Sequence, residues 1–323
     1  MSQTEIRICG HFKLGKKIRS ITQVQHYQAK NIQSDQNVLI KIEETKYRHP
    51  QLLYEGKILQ NLQGGIGIPS MFWYKKKKRR QIKKKIRCGQ EGDNNFLVME
   101  ELGESLEQLF QNCNRKFSLK TVLMIGVQIL KSIEYMHYKS YINREINSQN
   151  FHLGIQLQNI NKIFQLNFGS AKKYKDSQTH EHIPFREKKP LIGASRFASI
   201  NAHLGYELSR RDDIESLAYM LIYFLKGSLP WKGLKMTNKQ AKFQKVKEIK
   251  TKQSIQELCK GCPKSIELFL EYSRSLGFED KPDYTYLKGI LLETFHNQGF
   301  IFDFIYDWVL LPLNKIENLE KLS

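Results

Sequence analysis

Near-alternating hydrophobic and polar positions fill the first part of the chain. HFKLGKKI and QVQHYQAK, a polar turn at Asn31 to Asn37, and then VLIKIE are rich in β-branched and aromatic residues and predict strands from Phe12 to Lys41. The turn joining the first two is placed after Ile18, in RSITQV. GGIGIPSMFW (Gly64 to Trp73) predicts a turn and a strand, and NNFLVMEELG a further strand leading into a glycine-containing hinge. Beyond it the period lengthens. SLEQLFQNC and LKTVLMIGVQILKSIEYMHYKS place apolar residues three and four apart, which predicts helices. After an irregular stretch from Gly169 to Asn201, RRDDIESLAYMLIYFLKG reads as an apolar helix stopped by Gly227, with Pro230 beyond. Further amphipathic helices and a short polar tail from about Asn314 complete the pattern.

A chain of 323 residues, 40% hydrophobic and 11% aromatic, can bury a sizeable core, as one large bilobal domain or two ordinary ones. The most apolar stretches, Val122 to Leu130 and Phe300 to Leu313, are short or interrupted by Asp303 and Asp307, so no membrane-spanning segment is expected. The polar start, MSQTEIRICGHFK, lacks the apolar core of a signal peptide. Five scattered cysteines suit reduced thiols, so a cytoplasmic protein is expected. Cys259 and Cys262 form a single C-x-x-C, read as two ordinary loop cysteines or as a zinc or redox pair.

The formal charge of +20 is concentrated. Lys75, Lys76, Lys77, Lys78, Arg79, Arg80, Lys83, Lys84, Lys85 and Arg87 fall within thirteen residues that hold no acid. So dense a run repels itself and projects from the fold. It is either a solvated insertion or a foot on a polyanion, and the absence of interleaved aromatics argues against base stacking.

The chemistry-bearing stretch is Tyr141 to Gly169, YINREINSQNFHLGIQLQNINKIFQLNFG. It has the layout H-R-D-x-x-x-x-N followed by D-F-G, with Glu145 in place of the Asp that accepts a substrate proton and Asn167 in place of the Asp that holds magnesium. Lys41 and Glu55 have the spacing of the ion pair that orients nucleotide phosphates. Where a glycine-rich loop would let backbone approach those phosphates, RSITQV has no glycine.

Together with RHPQLLYEGKI, LQGGIGIP, ELGESLEQLF, NFGSAKKYKDSQTHEHIPFREKKPLIGASRFASINAHLGYELSRRDDIESLAYMLIYFLKGSLPWKGLK and FEDKPDYTYL, these motifs make the chain resemble the casein kinase 1 family of protein Ser/Thr kinases, from about Phe12 to Pro312. The resemblance implies an α+β, bilobal protein-kinase-like fold. Its parts would be an N-terminal segment 1–11, a small antiparallel β lobe with one main helix (12–99, with the basic insertion at 74–87), a hinge at 100–103, a mainly helical large lobe (104–312) and a tail (313–323). It implies a nucleotide site at Leu39, Lys41, Glu55, Glu100, Leu102 and Leu166. Asn150 and Asn167 would be metal positions, and Arg196 and Lys242 an anion or phosphosubstrate site. Asp213 would pin the catalytic-loop backbone. Against that pattern Arg19, Ile21 and Val24 replace the loop glycines, Leu39 replaces a small alanine, His26 and His152 replace aliphatic residues of the roof and floor of the adenine slot, and Asn147 replaces a phosphate-contacting lysine.

Polarising and crowding a flat apolar slot removes nucleotide contacts, and lengthening the base by one methylene displaces it. The expectation is a pseudokinase with no cofactor, acting as a binding or structural module. Acidic protein surfaces such as tubulin tails would be its partners, in a cytoskeletal setting, with nucleic acid and anionic lipid as the other candidates. The alternative is an atypical Ser/Thr kinase using ATP and magnesium, with Glu145 as base, Lys41 on the phosphates and Asn150 and Asn167 on the metal.

Overall fold

In the computed structural model, residues 6–8, 10–21, 23–48, 50–72, 89–234 and 238–311 are described. The basic run and the tail from residue 312 lie outside them. In chain order the elements are β1 (Arg7–Ile8), β2 (Phe12–Ile21), β3 (Val24–Asn31), β4 (Asn37–Glu44), α1 (Leu52–Leu62), β5 (Gly89–Glu91), β6 (Asn94–Glu100), α2 (Leu106–Asn112), α3 (Leu119–Tyr138), β7 (Tyr141–Ile142), β8 (Phe151–Leu153), β9 (Ile163–Gln165) and β10 (Lys172–Lys173). Then follow α4 (Ile200–Leu204), α5 (Arg210–Lys226), α6 (Lys239–Lys252), α7 (Ile255–Leu258), α8 (Lys264–Ser275) and α9 (Tyr284–Asn297).

The strands of the small lobe form one antiparallel sheet in the order β1-β2-β3-β4-β6-β5. Its two faces have different partners, as strand alternation requires. Val38, Ile40, Phe96 and Val98 bury the outer face with Ile8 and Phe12. Leu39, Leu97 and Met99 bury the inner face, together with α1 residues and with Leu166 and Phe168 from beyond the hinge. The inner face therefore looks across the cleft between the lobes.

Three sequence expectations change here. The turn placed in RSITQV narrows, because β2 runs on to Ile21, whose partner is Val24 at the start of β3. A register shift between Leu14 and Arg19 absorbs the local irregularity. Among the described residues of the expected Gly64 to Trp73 strand, up to Phe72, no strand element forms, and Met71 makes an isolated bridge to Met99. Within the expected N-terminal segment, Arg7–Ile8 adds an edge strand on β2.

The large lobe is built around α5, whose residues from Asp212 to Phe224 are all buried. A helix buried on every side needs apolar residues all round, which the run DDIESLAYMLIYF supplies only when its few acids are paired. It stops at Gly227, whose φ of +81° is a left-handed cap that favours glycine. Helix α3 packs against α5 and α9, and starts at Ser118, whose hydroxyl accepts from the Thr121 amide. Helix α2 opens with a capping box between Ser105 and Gln108. These helices hold the loops that follow α3 and β9 against the inner face of the small-lobe sheet.

Candidate active site and anion pocket

Strand β4 carries Lys41 onto the inner face, and α1 brings Glu55 to it at 2.7 Å. The ammonium also donates to the Leu166 carbonyl at 2.9 Å and, weakly, to Asn167 Oδ1 at 3.5 Å. An ammonium has three hydrogens, so each has an acceptor within the protein. Lys41 is 0% exposed. Glu55 in turn accepts from the Phe168 amide at 3.1 Å, tying α1 to the loop that bears Asn167.

The loop after β7 is pinned from below. Asp213, at the start of α5, accepts from the amides of Asn143 (2.7 Å) and Arg144 (2.8 Å), and it also bonds buried His137 at 2.9 Å. Arg144 takes a φ of +66° within this turn and donates through Nε to the Ser170 carbonyl at 2.7 Å. Asn143 accepts from the Glu145 amide at 2.8 Å. The result is a rigid loop whose polar groups are largely used in holding itself.

Glu145 projects from that loop toward Gly193, and its carboxylate accepts from the Ser170 hydroxyl at 2.6 Å. Asn150 Nδ2 donates to the Glu145 carbonyl at 3.2 Å, and Asn147 accepts from the Gln149 amide at 2.9 Å. Asn167 turns its oxygen to the Lys41 ammonium. A magnesium ion requires near-octahedral oxygen ligands, usually including a carboxylate. The pair Asn150 and Asn167 supplies no carboxylate, and one of its amide oxygens faces a cation, so the site does not fit magnesium.

Of the expected nucleotide residues, Leu39 and Leu166 pack in one buried cluster with Val24 and Leu102 against it. The Glu100 carboxylate is engaged by the Ser70 amide at 3.0 Å and by the Asn159 side chain. His26 lies in the roof, where it accepts from Arg19 Nε at 3.2 Å, and burial with nearby Lys41 and Arg19 holds its pKa down at about 2. His152 lies in the floor between the carbonyls of Gly103 and Gln149. At the phosphate end remains a cavity of about 210 Å³, lined by residues that include Ile21, His26, Gln51, Glu145 and Ser170.

A second pocket, of about 310 Å³, opens on the large lobe beside the same loop. Arg196 and Lys242 line it together, and so does Lys232, with Asn147, Ser148 and Gln149 forming one wall. Lys232 and Lys242 are exposed. Arg196 is anchored by stacking on Phe197 and Tyr223 and by Glu107 at 3.5 Å. Burial alone would raise the Glu107 carboxyl, but hydrogen bonds from Ser148 and Tyr223 and the charge of Arg196 hold it below its ordinary value. Sequence reasoning missed Lys232, which lies in the loop after α5 and belongs to no motif. It also missed Ser170, for which no sequence signal existed.

Cys259 and Cys262 flank the turn between α7 and α8, with the Cys262 amide donating to the Cys259 carbonyl at 2.8 Å. Burial raises both thiols, which suits packing rather than metal binding or redox chemistry. No helix among the described residues is long and apolar enough to cross a membrane. The sequence profile of the protein kinase domain matches residues 20–275. The chain belongs to the protein kinase family, and its sheet-and-helix lobes around this cleft are that family's fold.

Proposed function

We propose that this chain is a casein kinase 1-like pseudokinase, a kinase fold retained as a non-catalytic binding module. The observation that carries the reading is the metal pair: Asn150 and Asn167 supply no carboxylate, and the Asn167 oxygen faces the Lys41 ammonium. The buried Lys41–Glu55 pair is one that a working kinase also holds, so it marks a kept fold rather than lost chemistry. Binding then falls to the surface. The pocket of Arg196, Lys232 and Lys242 offers three cations to an anionic partner, and the basic run at 75–87 offers ten more. An acidic protein surface, such as a tubulin-like tail in a cytoskeletal assembly, is the partner this charge suits best. Nucleic acid and anionic lipid are the competing polyanions.

The test is phosphoryl transfer by purified protein to itself and to acidic protein substrates, with Lys41→Ala as control. No transfer above that control is expected, alongside salt-sensitive binding to acidic peptides. Transfer abolished by Lys41→Ala would overturn the reading. One contact favours the second reading, an atypical Ser/Thr kinase using ATP and magnesium. Glu145 reaches a serine hydroxyl at 2.6 Å, the distance a general base needs. Under that reading Glu145→Ala abolishes transfer as well.

A further inference from the structure

The register of the small-lobe sheet places three bases in a row. Arg19 pairs with His26, and His26 pairs with Lys41. Directly paired residues of adjacent strands share a face, and Lys41 marks that face as the one looking into the cleft. Arg19 therefore points inward, although it stands in the hairpin that in a nucleotide-binding fold is bare backbone.

Arg19 is held there by its bond to His26 Nδ1 at 3.2 Å. Because Nδ1 accepts, the proton of neutral His26 sits on Nε2. His26 is 2% exposed and lines the residual cavity. Below, the His152 ring spans the hinge and the catalytic-type loop, with Nδ1 2.9 Å from the Gly103 carbonyl and Nε2 3.1 Å from that of Gln149. Burial outweighs the ring's bonds to those two carbonyls and holds the His152 pKa down at about 4, and the charge of Arg19 contributes. Of the apolar residues near the slot, Leu39 and Leu166 are buried in one cluster, and Val24 and Leu102 pack against it.

At the other end of the cleft, of the two carboxylates lining the cavity, Glu55 is paired with Lys41 and Glu145 accepts from the Ser170 hydroxyl. ATP laid in this cleft would set its uncharged ring against the Arg19 cation.

We infer that Arg19 is the resident occupant of the interlobe slot, latched to His26 above His152, and that it shuts the slot against adenine. The inference deepens the non-catalytic reading and rests on it. Arg19 is thus an internal ligand rather than a damaged loop residue. Removing the latch re-opens the slot to a nucleoside, and adenosine probes the slot without engaging the phosphate end.

The experiment is thermal unfolding of the full chain with millimolar adenosine, and separately with ATP and magnesium. Wild type is expected to show no shift. The variant Arg19→Gly/His26→Val/His152→Leu is expected to gain a few degrees with adenosine, the response of a domain this size to a ligand well above its dissociation constant. Arg19→Lys, which keeps the cation, is expected to remain unshifted. Should the triple variant not fold, Arg19→Gly alone is measured by equilibrium dialysis of labelled adenosine, with at least a tenfold gain over wild type expected. An adenosine shift in wild type overturns the inference, as does a folded triple variant, or Arg19→Gly in dialysis, with no gain. Phosphate transfer by wild type overturns both this inference and the non-catalytic reading. A silent wild type with a silent, folded variant overturns this inference alone.

Discussion

The interlobe cleft and the large-lobe pocket are both lined by cations, yet they differ in what those cations face. In the cleft, Lys41 has Glu55, the Leu166 carbonyl and Asn167 as acceptors, and Arg19 is bonded to His26. In the pocket, Lys232 and Lys242 are exposed, and Arg196 is only partly matched by Glu107 at 3.5 Å. Partial burial and the nearby charges of Arg115 and Arg196 even lower the pKa of Lys232, a sign of cations crowded without enough anions. A cation is available to a partner to the extent that its own protein has not already satisfied it. By that measure the cleft holds the fold together, and the pocket is the surface free to bind.

The sharpest way to break the contrast is to remove one charge from each region. Lys41→Ala strands Glu55 without its counter-ion, and breaking a buried pair costs about 3 to 5 kcal/mol. Urea unfolding should show that loss, and the double variant Lys41→Met/Glu55→Leu should recover most of it. A loss under 1 kcal/mol in the single variant would mean that the pair is not structural. In the pocket, Lys232→Ala/Lys242→Ala removes two exposed charges and should leave stability nearly unchanged. It should weaken binding of a phosphoserine peptide roughly 10- to 100-fold, the scale of one or two charge-assisted hydrogen bonds. Unaltered affinity in fluorescence anisotropy would remove the pocket as the binding surface.

Proton linkage sharpens the comparison from inside the cleft. His152 is held at about 4 when folded, against 6.5 as the ordinary value, so between those limits the unfolded chain binds a proton that the folded chain does not. Its contribution is complete above pH 6.5 and is lost as pH falls toward 4, by about 1.4 kcal/mol per unit. His203, held at about 4 by burial and by Lys250 and Lys247, acts in the same direction. Stability measured from pH 7 to pH 4 should therefore fall less steeply in His152→Leu than in wild type. An identical slope would show that His152 is protonated in the fold. The smallest effect is expected at Ser170→Ala, which deletes one hydroxyl bond to Glu145 and should cost about 0.5 to 1.5 kcal/mol in urea unfolding.

Much of this was readable along the chain. The apolar run of α5 and its glycine stop appear as expected, and so do the strands β3, β4 and β6. Local periodicity and caps act within a few residues, so such elements announce themselves. The turn in RSITQV is shorter than that stretch. Its β-branched members simply continue the strand to Ile21. In the cleft, each replacement could be named singly, Arg19, His26 and His152 among them. Their meeting across one slot could not.

By itself the amino-acid order determined that this chain builds a sheet lobe and a helical lobe, that Lys41 and Glu55 fall in reach of one another, and that the usual acids at 145 and 167 are changed. Those are properties of residue type and short-range spacing. Only the tertiary structure decided which charges are spent. Ser170 meets Glu145 across 25 positions, Leu166 meets Lys41 across 125, and Lys232 joins Arg196 because α5 returns the chain to the same pocket. Whether a polar group is free depends on the acceptors that folding delivers to it from distant segments, and that is fixed by packing rather than by any local pattern.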